Sequence, residues 1–226
     1  MMANKGNSRH MKSLTAPKYY GVHRKESAYV AKPSPGRHSL SRSIPLVAFA
    51  TKAGISASSH DASRMIKRRE IHVNGKPVRD PSYPVGLSDT ILVLPSKTSY
   101  SVGINELGKV SIIESGGATD RLCKVAQKYM TGGGSVMIRL HDGTVIKASK
   151  DIKVNDSVLL GNDSSVKKVL KLGEGCNCTV IDGVHVGAKG KVKEIHKGTA
   201  TSRAYVTVEE DGGSFDTLVR NIMVVE

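Results

Sequence analysis

Asn74-Gly75, set between Ile71-His72-Val73 and Lys76-Pro77-Val78, is the feature that most restricts what this chain can become. A two-residue turn needs positive φ at both positions, which asparagine and glycine tolerate, and it fixes the register of an antiparallel hairpin. The residues ahead of the hairpin carry a helix. Ser58 is placed to cap it, and Asp61, three residues on, favours its positive N-terminal end. Ala62, Met65, Ile66 and Arg69 follow the helical period, with Ala62, Met65 and Ile66 toward a core. Arg64, Lys67 and Arg68 fall off that stripe and face outward. An earlier short helix is expected to start at Ser43, with Pro45 in its first turn, to bury Ile44, Leu46, Val47 and Phe49, and to stop near Gly54. Asp89-Thr90-Ile91-Leu92-Val93 supplies a further strand. Residues 44–95 therefore read as one compact α/β unit.

Charge narrows the class of partner. The chain of 226 residues has a formal net charge of +14. Residues 1–99 hold 17 basic and 5 acidic side chains, and residues 100–226 hold 17 and 15, so the field belongs to the first half. Such an excess points to a polyanion. No segment approaches the roughly 20 apolar residues of a membrane span, and no signal peptide is visible. With no Trp, 2 Phe and 7 Tyr, stacking on a broad aromatic platform is not the expected main binding mode. Shape and phosphate recognition fit better. Three cysteines, an odd number, argue against a disulfide framework and fit a reducing cytosol.

Residues 1–43 contain nine Lys/Arg and one acid, Glu26. Their apolar residues follow neither period, so the segment is expected to be a basic arm that orders only on nucleic acid, with Tyr19, Tyr20 and Tyr29 as local anchors. Residues 96–175 read as β-rich, with short apolar pieces at 110–113, 136–140, 145–147 and 158–160 between Gly, Asn and Asp turns, as in a small barrel. Residues 118–130 fit neither period well. Residues 176–226 offer five strand candidates, at 180–186, 191–195, 205–209, 214–219 and 222–225, a density that suits an SH3-like barrel. The fold class expected is thus α+β and multidomain: a basic extension at 1–43, a small α/β unit at 44–95, a central β domain at 96–175 and a last barrel at 176–226.

The basic helix running straight into the tight hairpin is the sharpest chemical signal. It would bring Arg64, Lys67 and Arg68 beside His72, Asn74 and Lys76, where guanidinium forks hold phosphates in pairs of hydrogen bonds and Lys adds a point charge. A merely solvated helix face is the bland alternative, and the hairpin together with the overall charge weighs against it. A second stretch, Gly183-Val184-His185-Val186-Gly187-Ala188-Lys189-Gly190-Lys191-Val192, places Lys189, Lys191 and Lys193 around Gly190, a residue expected to permit a tight turn. Other groupings carry less. Cys176-Asn177-Cys178 lacks the spacing and the second pair of a structural zinc site, so no metal is expected. Gly132-Gly133-Gly134 lacks the Lys-Ser/Thr of a phosphate loop. His60-Asp61 beside Ser58 and Ser63 is a helix start, not a triad.

Residues 44–95 resemble the S-four RNA-binding domain, or α-L motif, from Ser58 through Arg64, Lys67 and Arg68 to Val73-Asn74-Gly75-Lys76 and Asp89-Thr90-Ile91. The Gly183 to Val192 stretch resembles a KOW motif. Arg9-His10-Met11-Lys12, Ala16-Pro17-Lys18, Pro33-Ser34-Pro35-Gly36-Arg37-His38 and Ile44-Pro45-Leu46 are similar to the N-terminus of the archaeal and eukaryotic small-subunit ribosomal protein family S-four-e. So are Leu122-Cys123-Lys124-Val125, Lys153-Val154-Asn155-Asp156, and the ending from Ser214-Phe215 to Arg220-Asn221-Ile222. The order of arm, S-four domain, central β domain and KOW barrel matches over essentially the whole chain. The resemblance makes residues 118–130 a strand. The chain ends near Glu226 without the C-terminal extension common in the eukaryotic branch, and so looks closer to archaeal members.

The resemblance implies a non-enzymatic, cytoplasmic protein of the ribosome, with small-subunit ribosomal RNA and neighbouring ribosomal proteins as partners, and no membrane, small-molecule substrate or cofactor. The residues it singles out for RNA are Lys5, Arg9, Lys12, Lys18, Arg24, Lys25, Arg37, His38 and Arg42 of the arm. Arg64, Lys67, Arg68, His72, Asn74 and Lys76 follow, then Lys189, Lys191 and Lys193. Two other classes are open: an RNA-modifying enzyme carrying the same module, and a KOW-type transcription factor. The roughly 130 residues after the first unit are too few for the catalytic domain the first would need. The arm and the α-L motif argue against the second.

Overall fold

The computed structural model describes residues 10–23, 25–116, 120–161, 165–199, 202–210 and 213–225. Lys5, Arg9 and Arg24 lie outside them.

The arm opens with β1 (Met11–Lys12), which pairs with β2 (Tyr29–Val30), and continues to β3 (Ser43–Pro45). Two helices follow, α1 (Leu46–Lys52) and α2 (Ser59–Lys67). Ser43 was expected to cap α1. It lies instead in β3, which pairs with β6 (Pro84–Gly86). The first amides of α1 are taken up by the chain crossing above them: Leu46 N–H donates to Tyr83 O at 2.9 Å and Val47 N–H to Pro81 O at 3.0 Å. With those donors satisfied, Pro45 serves as the N-terminal flanking residue without any side-chain cap. Ser58 does cap α2, its hydroxyl accepting from Asp61 N–H at 3.2 Å. Ala62 and Ile66 are buried and Met65 is half-buried.

Beyond α2 come β4 (Ile71–Val73), β5 (Lys76–Pro77), β7 (Thr90–Val93), β8 (Thr98–Ile104) and β9 (Val110–Ser115). They form one antiparallel sheet in the order β5-β4-β7-β8-β9. The boundary expected at residue 95 falls inside this sheet. Asn74 and Gly75 take φ of 51° and 76°, as the turn requires.

A second sheet, in the order β12-β11-β10-β13-β14, holds β10 (Arg121–Met130), β11 (Val136–Leu140), β12 (Val145–Lys147), β13 (Ser157–Leu160) and β14 (Val166–Leu170). Residues 121–130 of the ambiguous segment are therefore a strand, and its poor periodicity has a cause: β10 carries a bulge between Val125 and Gln127. The third sheet, in the order β18-β17-β16-β15-β19, holds β15 (Asn177–Val180), β16 (Lys189–His196), β17 (Tyr205–Glu210), β18 (Gly213–Leu218) and β19 (Ile222–Val224). The strand expected over 180–186 stops at Val180. Gly183 and Gly187, at φ of 99° and 90°, turn the chain there. Gly190 has another role than the expected turn. It lies within β16, where a Cβ would come within 2.4 Å of Glu209 O on the neighbouring strand.

Each sheet covers its own apolar cluster. Phe49, Leu46, Ile66, Ile71 and Ile91 fill the first, Val125, Ile138, Leu140 and Leu160 the second, and Val192, Val206, Val208 and Ile222 the third. Among the described residues, no helix is long and apolar enough to cross a membrane.

Candidate nucleic-acid interface

Arg64, Lys67 and Arg68 are all exposed on the outer side of α2, while Ala62 and Ile66 anchor its inner side at 0% exposure. Lys76 is exposed in the hairpin that follows, and His72 is half-buried on β4. Between residues 64 and 79 the sequence places six cations, Arg64, Lys67, Arg68, Arg69, Lys76 and Arg79, against one acid, Glu70. Half-buried Glu70 only approaches exposed Arg68, at 4.0 Å, so one weak contact offsets little of this charge.

Arg69 was expected on the core stripe and is not there. The helix ends at Lys67, and Arg69 adopts a left-handed φ of 62°. Arg69 N–H donates to Ile66 O at 2.9 Å and Glu70 N–H to Met65 O at 3.1 Å. These bonds form a Schellman terminus with arginine where glycine is usual. Arg69 is exposed there, directly after the basic helix. Arg69 escaped the sequence reading because helical periodicity stops applying one residue before it, and Arg79 lies past the hairpin, where that period does not reach.

Asn74, expected to touch RNA, faces inward and builds the turn. Its Nδ2 donates to Asp89 Oδ1 at 2.7 Å, and its Oδ1 accepts from Thr90 N–H at 3.0 Å. Asp89 is 1% exposed. It also accepts from Gly86 N–H at 3.0 Å and pairs with His38 Nε2 at 2.7 Å. Burial pushes the Asp89 carboxyl up, but the His38, Asn74 and Gly86 contacts outweigh it and hold the group below its ordinary range. Glycine is required at 86, because a Cβ there would sit 2.4 Å from the His38 ring.

His38 thus corrects two expectations. It is buried at 8% exposure and acts as an internal tie, and the described part of the arm packs against the first unit without RNA. Tyr19 and Tyr20, at 6% and 4% exposure, join the first apolar cluster. Their spacing follows no period because a short 3-10 turn, Lys18–Tyr20, carries both. Arg37 and Arg42 form ion pairs as well, the second between groups that are about half exposed. Arg37 pairs with Asp142 at the β11–β12 turn, and Arg42 with Asp182 after β15. Three basic residues of one short segment therefore reach one unit each: His38 the first, Arg37 the second and Arg42 the third.

Arg121 also reaches Asp142, at 2.8 Å. Burial would raise the Asp142 carboxyl, yet the Thr144 amide and hydroxyl and the two guanidiniums bring it down to about 2. Lys124 spans the second and third units, its Nζ donating to Val219 O at 2.7 Å. Burial lowers this amine to about 7. His141 N–O contact with Leu87 O at 3.3 Å joins the second unit to the first, and burial lowers its imidazole.

Of the remaining arm candidates, Lys12, Lys18 and Lys25 are exposed. Lys189, Lys191 and Lys193 are exposed along β16, but Lys191 lies opposite Glu209 on β17, so this patch is partly compensated. Among the described residues, no group of three or more His, Cys, Asp or Glu side chains is placed to hold a metal ion.

Comparison with known proteins agrees with this layout. Residues 5–41 match the RS4NT (NUC023) domain, residues 44–91 the S4 domain, and residues 97–166 the Ribosomal family S4e. The small ribosomal subunit protein eS4 of Methanocella arvoryzae is 32% identical over 218 residues, covering 96% of this chain and 93% of that protein. Its counterpart from Archaeoglobus fulgidus is 34% identical over 218 residues, covering 96% and 92%. The crystal structure of the 30S ribosomal protein S4e from Thermoplasma acidophilum shares the fold, with a TM-score of 0.70 at 24% identity over 81% of this chain and 95% of that one. With identity above 30% sustained over nearly its full length, the chain belongs to the eS4 family of small ribosomal subunit proteins.

Proposed function

We propose that this protein is a structural constituent of the small ribosomal subunit that binds and positions ribosomal RNA. One observation carries the reading: Arg64, Lys67, Arg68, Arg69 and Lys76 stand together on a helix and hairpin whose other side is locked into the core. A rigid cationic face holds phosphates in fixed positions, which suits an A-form backbone better than base-by-base reading. Lys12, Lys18 and Lys25 of the arm extend the contact, with Lys5, Arg9 and Arg24 beyond the described residues. The last sheet is an SH3-like barrel of the KOW type, whose Lys189, Lys191 and Lys193 make a weaker second contact. Neighbouring ribosomal proteins complete the surroundings, and the site of action is the ribosome in the cytoplasm.

The protein acts without catalysis. Buried titratable groups such as Asp89, Asp142, His38, Arg121 and Lys124 are taken up by contacts within the fold: His38 with Asp89, Arg121 with Asp142, and Lys124 with the Val219 carbonyl. The test is reconstitution. Full-length protein should co-sediment with small-subunit particles and protect a discrete set of rRNA phosphates from cleavage. Nucleosides recovered from that RNA should be unmodified by mass spectrometry. Absence of a footprint, or a modified nucleoside, would overturn the assignment.

A further inference from the structure

We propose that the outer face of β10, β11 and β12 is a stacking platform for an unpaired segment of RNA, a contact separate from the α2 face. The inference rests on the chain being an RNA-binding protein.

The face is a two-by-three array set by strand register. Tyr129 lies opposite Met137, which lies opposite Lys147; Gln127 lies opposite Arg139, which lies opposite Val145. Cross-strand partners share a side of an antiparallel sheet, so all six project together. Tyr129 and Val145 are 42% and 41% exposed, and Gln127, Arg139 and Lys147 are exposed as well. The other side is committed to the core, with Ile138, Leu140 and Ile146 packed in the second apolar cluster, so the array cannot turn inward.

The β10 bulge creates this face. Val125 is buried opposite Leu140. By strict alternation residues 127 and 129 would point inward with it. The extra residue between Val125 and Gln127 reverses the phase, and carries Tyr129 out to solvent.

The chemistry of the array selects the occupant. It has two cations, no acid, one aromatic ring and one amide. A tyrosine offers a flat π surface to any base, Met137 and Val145 supply apolar contact beside it, and Gln127 can pair with a base edge. Arg139 and Lys147 lie within the same array for the backbone phosphates. A duplex presents no free base face to Tyr129, so the fit is to unpaired nucleotides. The scarcity of aromatics across the whole chain argues only against a broad platform; one ring serves one base.

The test uses the full-length protein, a fluorescent eight-nucleotide uridine oligomer and an RNA hairpin with a closed stem. Tyr129→Ala should weaken oligomer binding about fivefold to 150-fold, the span of one base stack, and leave hairpin affinity unchanged. Tyr129→Phe should retain oligomer binding. A 5-bromouridine oligomer should photocross-link within Gln127 to Met130. Equal oligomer affinity for wild type and Tyr129→Ala would overturn the proposal, as would an equal loss for both RNAs. The Arg64, Lys67 and Arg68 triple Glu variant separates the two ideas. If it abolishes hairpin binding while Tyr129→Ala is silent, the platform alone fails. If neither variant affects either RNA, the reading of the chain as an RNA binder fails with it.

Discussion

Asp89→Ala should destabilise the full-length protein by about 3–5 kcal/mol, the cost of breaking a buried charged pair from one side. The carboxylate is 1% exposed and receives His38 Nε2, Asn74 Nδ2 and Gly86 N–H, all within 3.0 Å. Alanine strands these groups, and a buried donor left unsatisfied costs about 1–3 kcal/mol. The sum runs to roughly 3–9 kcal/mol, and the lower part applies because half-buried Asn74 can turn toward water. Asp89→Asn keeps the shape and one acceptor and should cost about 1–3 kcal/mol. Urea unfolding measures both variants, and hydrogen exchange should show the segment around His38 opening first.

The pH dependence has a definite sign. The Asp89 carboxyl is held below its ordinary range, so its contribution is present above the unfolded carboxylate value of about 3.9 and lost as pH falls through the folded one. The gap between wild type and Asp89→Ala should therefore close in acid. An Asp89→Ala protein within about 0.5 kcal/mol of wild type, the ordinary range of a surface substitution, would refute the idea that this carboxylate joins arm, turn and loop.

Removing residues 1–43 should lower the unfolding midpoint of the remainder markedly, because Tyr19 and Tyr20 leave the first core and a buried aromatic is worth about 3–5 kcal/mol; an unchanged midpoint would make the arm a passive tail. Arg69→Gly should raise stability by roughly 1 kcal/mol by relieving the left-handed backbone and at the same time weaken RNA binding, and calorimetry with a binding titration reads both. Lys124 is lowered from 10.5 to about 7, so the unfolded chain binds more protons between those values. Wild-type stability relative to Lys124→Met should rise with pH above 7 by up to about 1.4 kcal/mol per unit and level off below. A difference independent of pH would mean that Lys124 stays charged against Val219.

The parts of this fold that obey local rules were legible in the sequence. Asn74-Gly75 dictated its turn, Ser58 with Asp61 its helix start, and alternating apolar residues most of the strands. What escaped was long-range. His38 and Asp89 are 51 positions apart, and Arg37 and Asp142 are 105 apart. A basic residue that pairs with a buried carboxylate carries the same letter as one that awaits a phosphate, so Arg37 and His38 read as RNA ligands with no sign of their partners Asp142 and Asp89. The end of α2 was missed because Arg69 occupies a position that glycine normally marks. Strand β14 was missed because Lys167 and Lys168 dilute its apolar pattern, and residues 118–130 resisted either period because a bulge changes phase midway. On α2 itself the reading held, since helical spacing alone separates Ala62 and Ile66 from Arg64, Lys67 and Arg68.

The central claim is that the α2 face holds RNA phosphates, and the salt dependence of binding tests it most directly. Affinity for small-subunit rRNA should be measured across a range of salt for wild type and for a variant with Arg64, Lys67 and Arg68 all changed to Gln. Each phosphate contact contributes roughly 0.7–0.9 to the slope of log affinity against log salt. The variant's slope should be shallower by about 2–3, with an unchanged unfolding midpoint, since all three side chains are exposed. The matching change at Lys189, Lys191 and Lys193 should flatten the slope less. Parallel lines for wild type and the α2 variant, or a larger effect from the β16 lysines, would contradict the account and move the principal contact elsewhere.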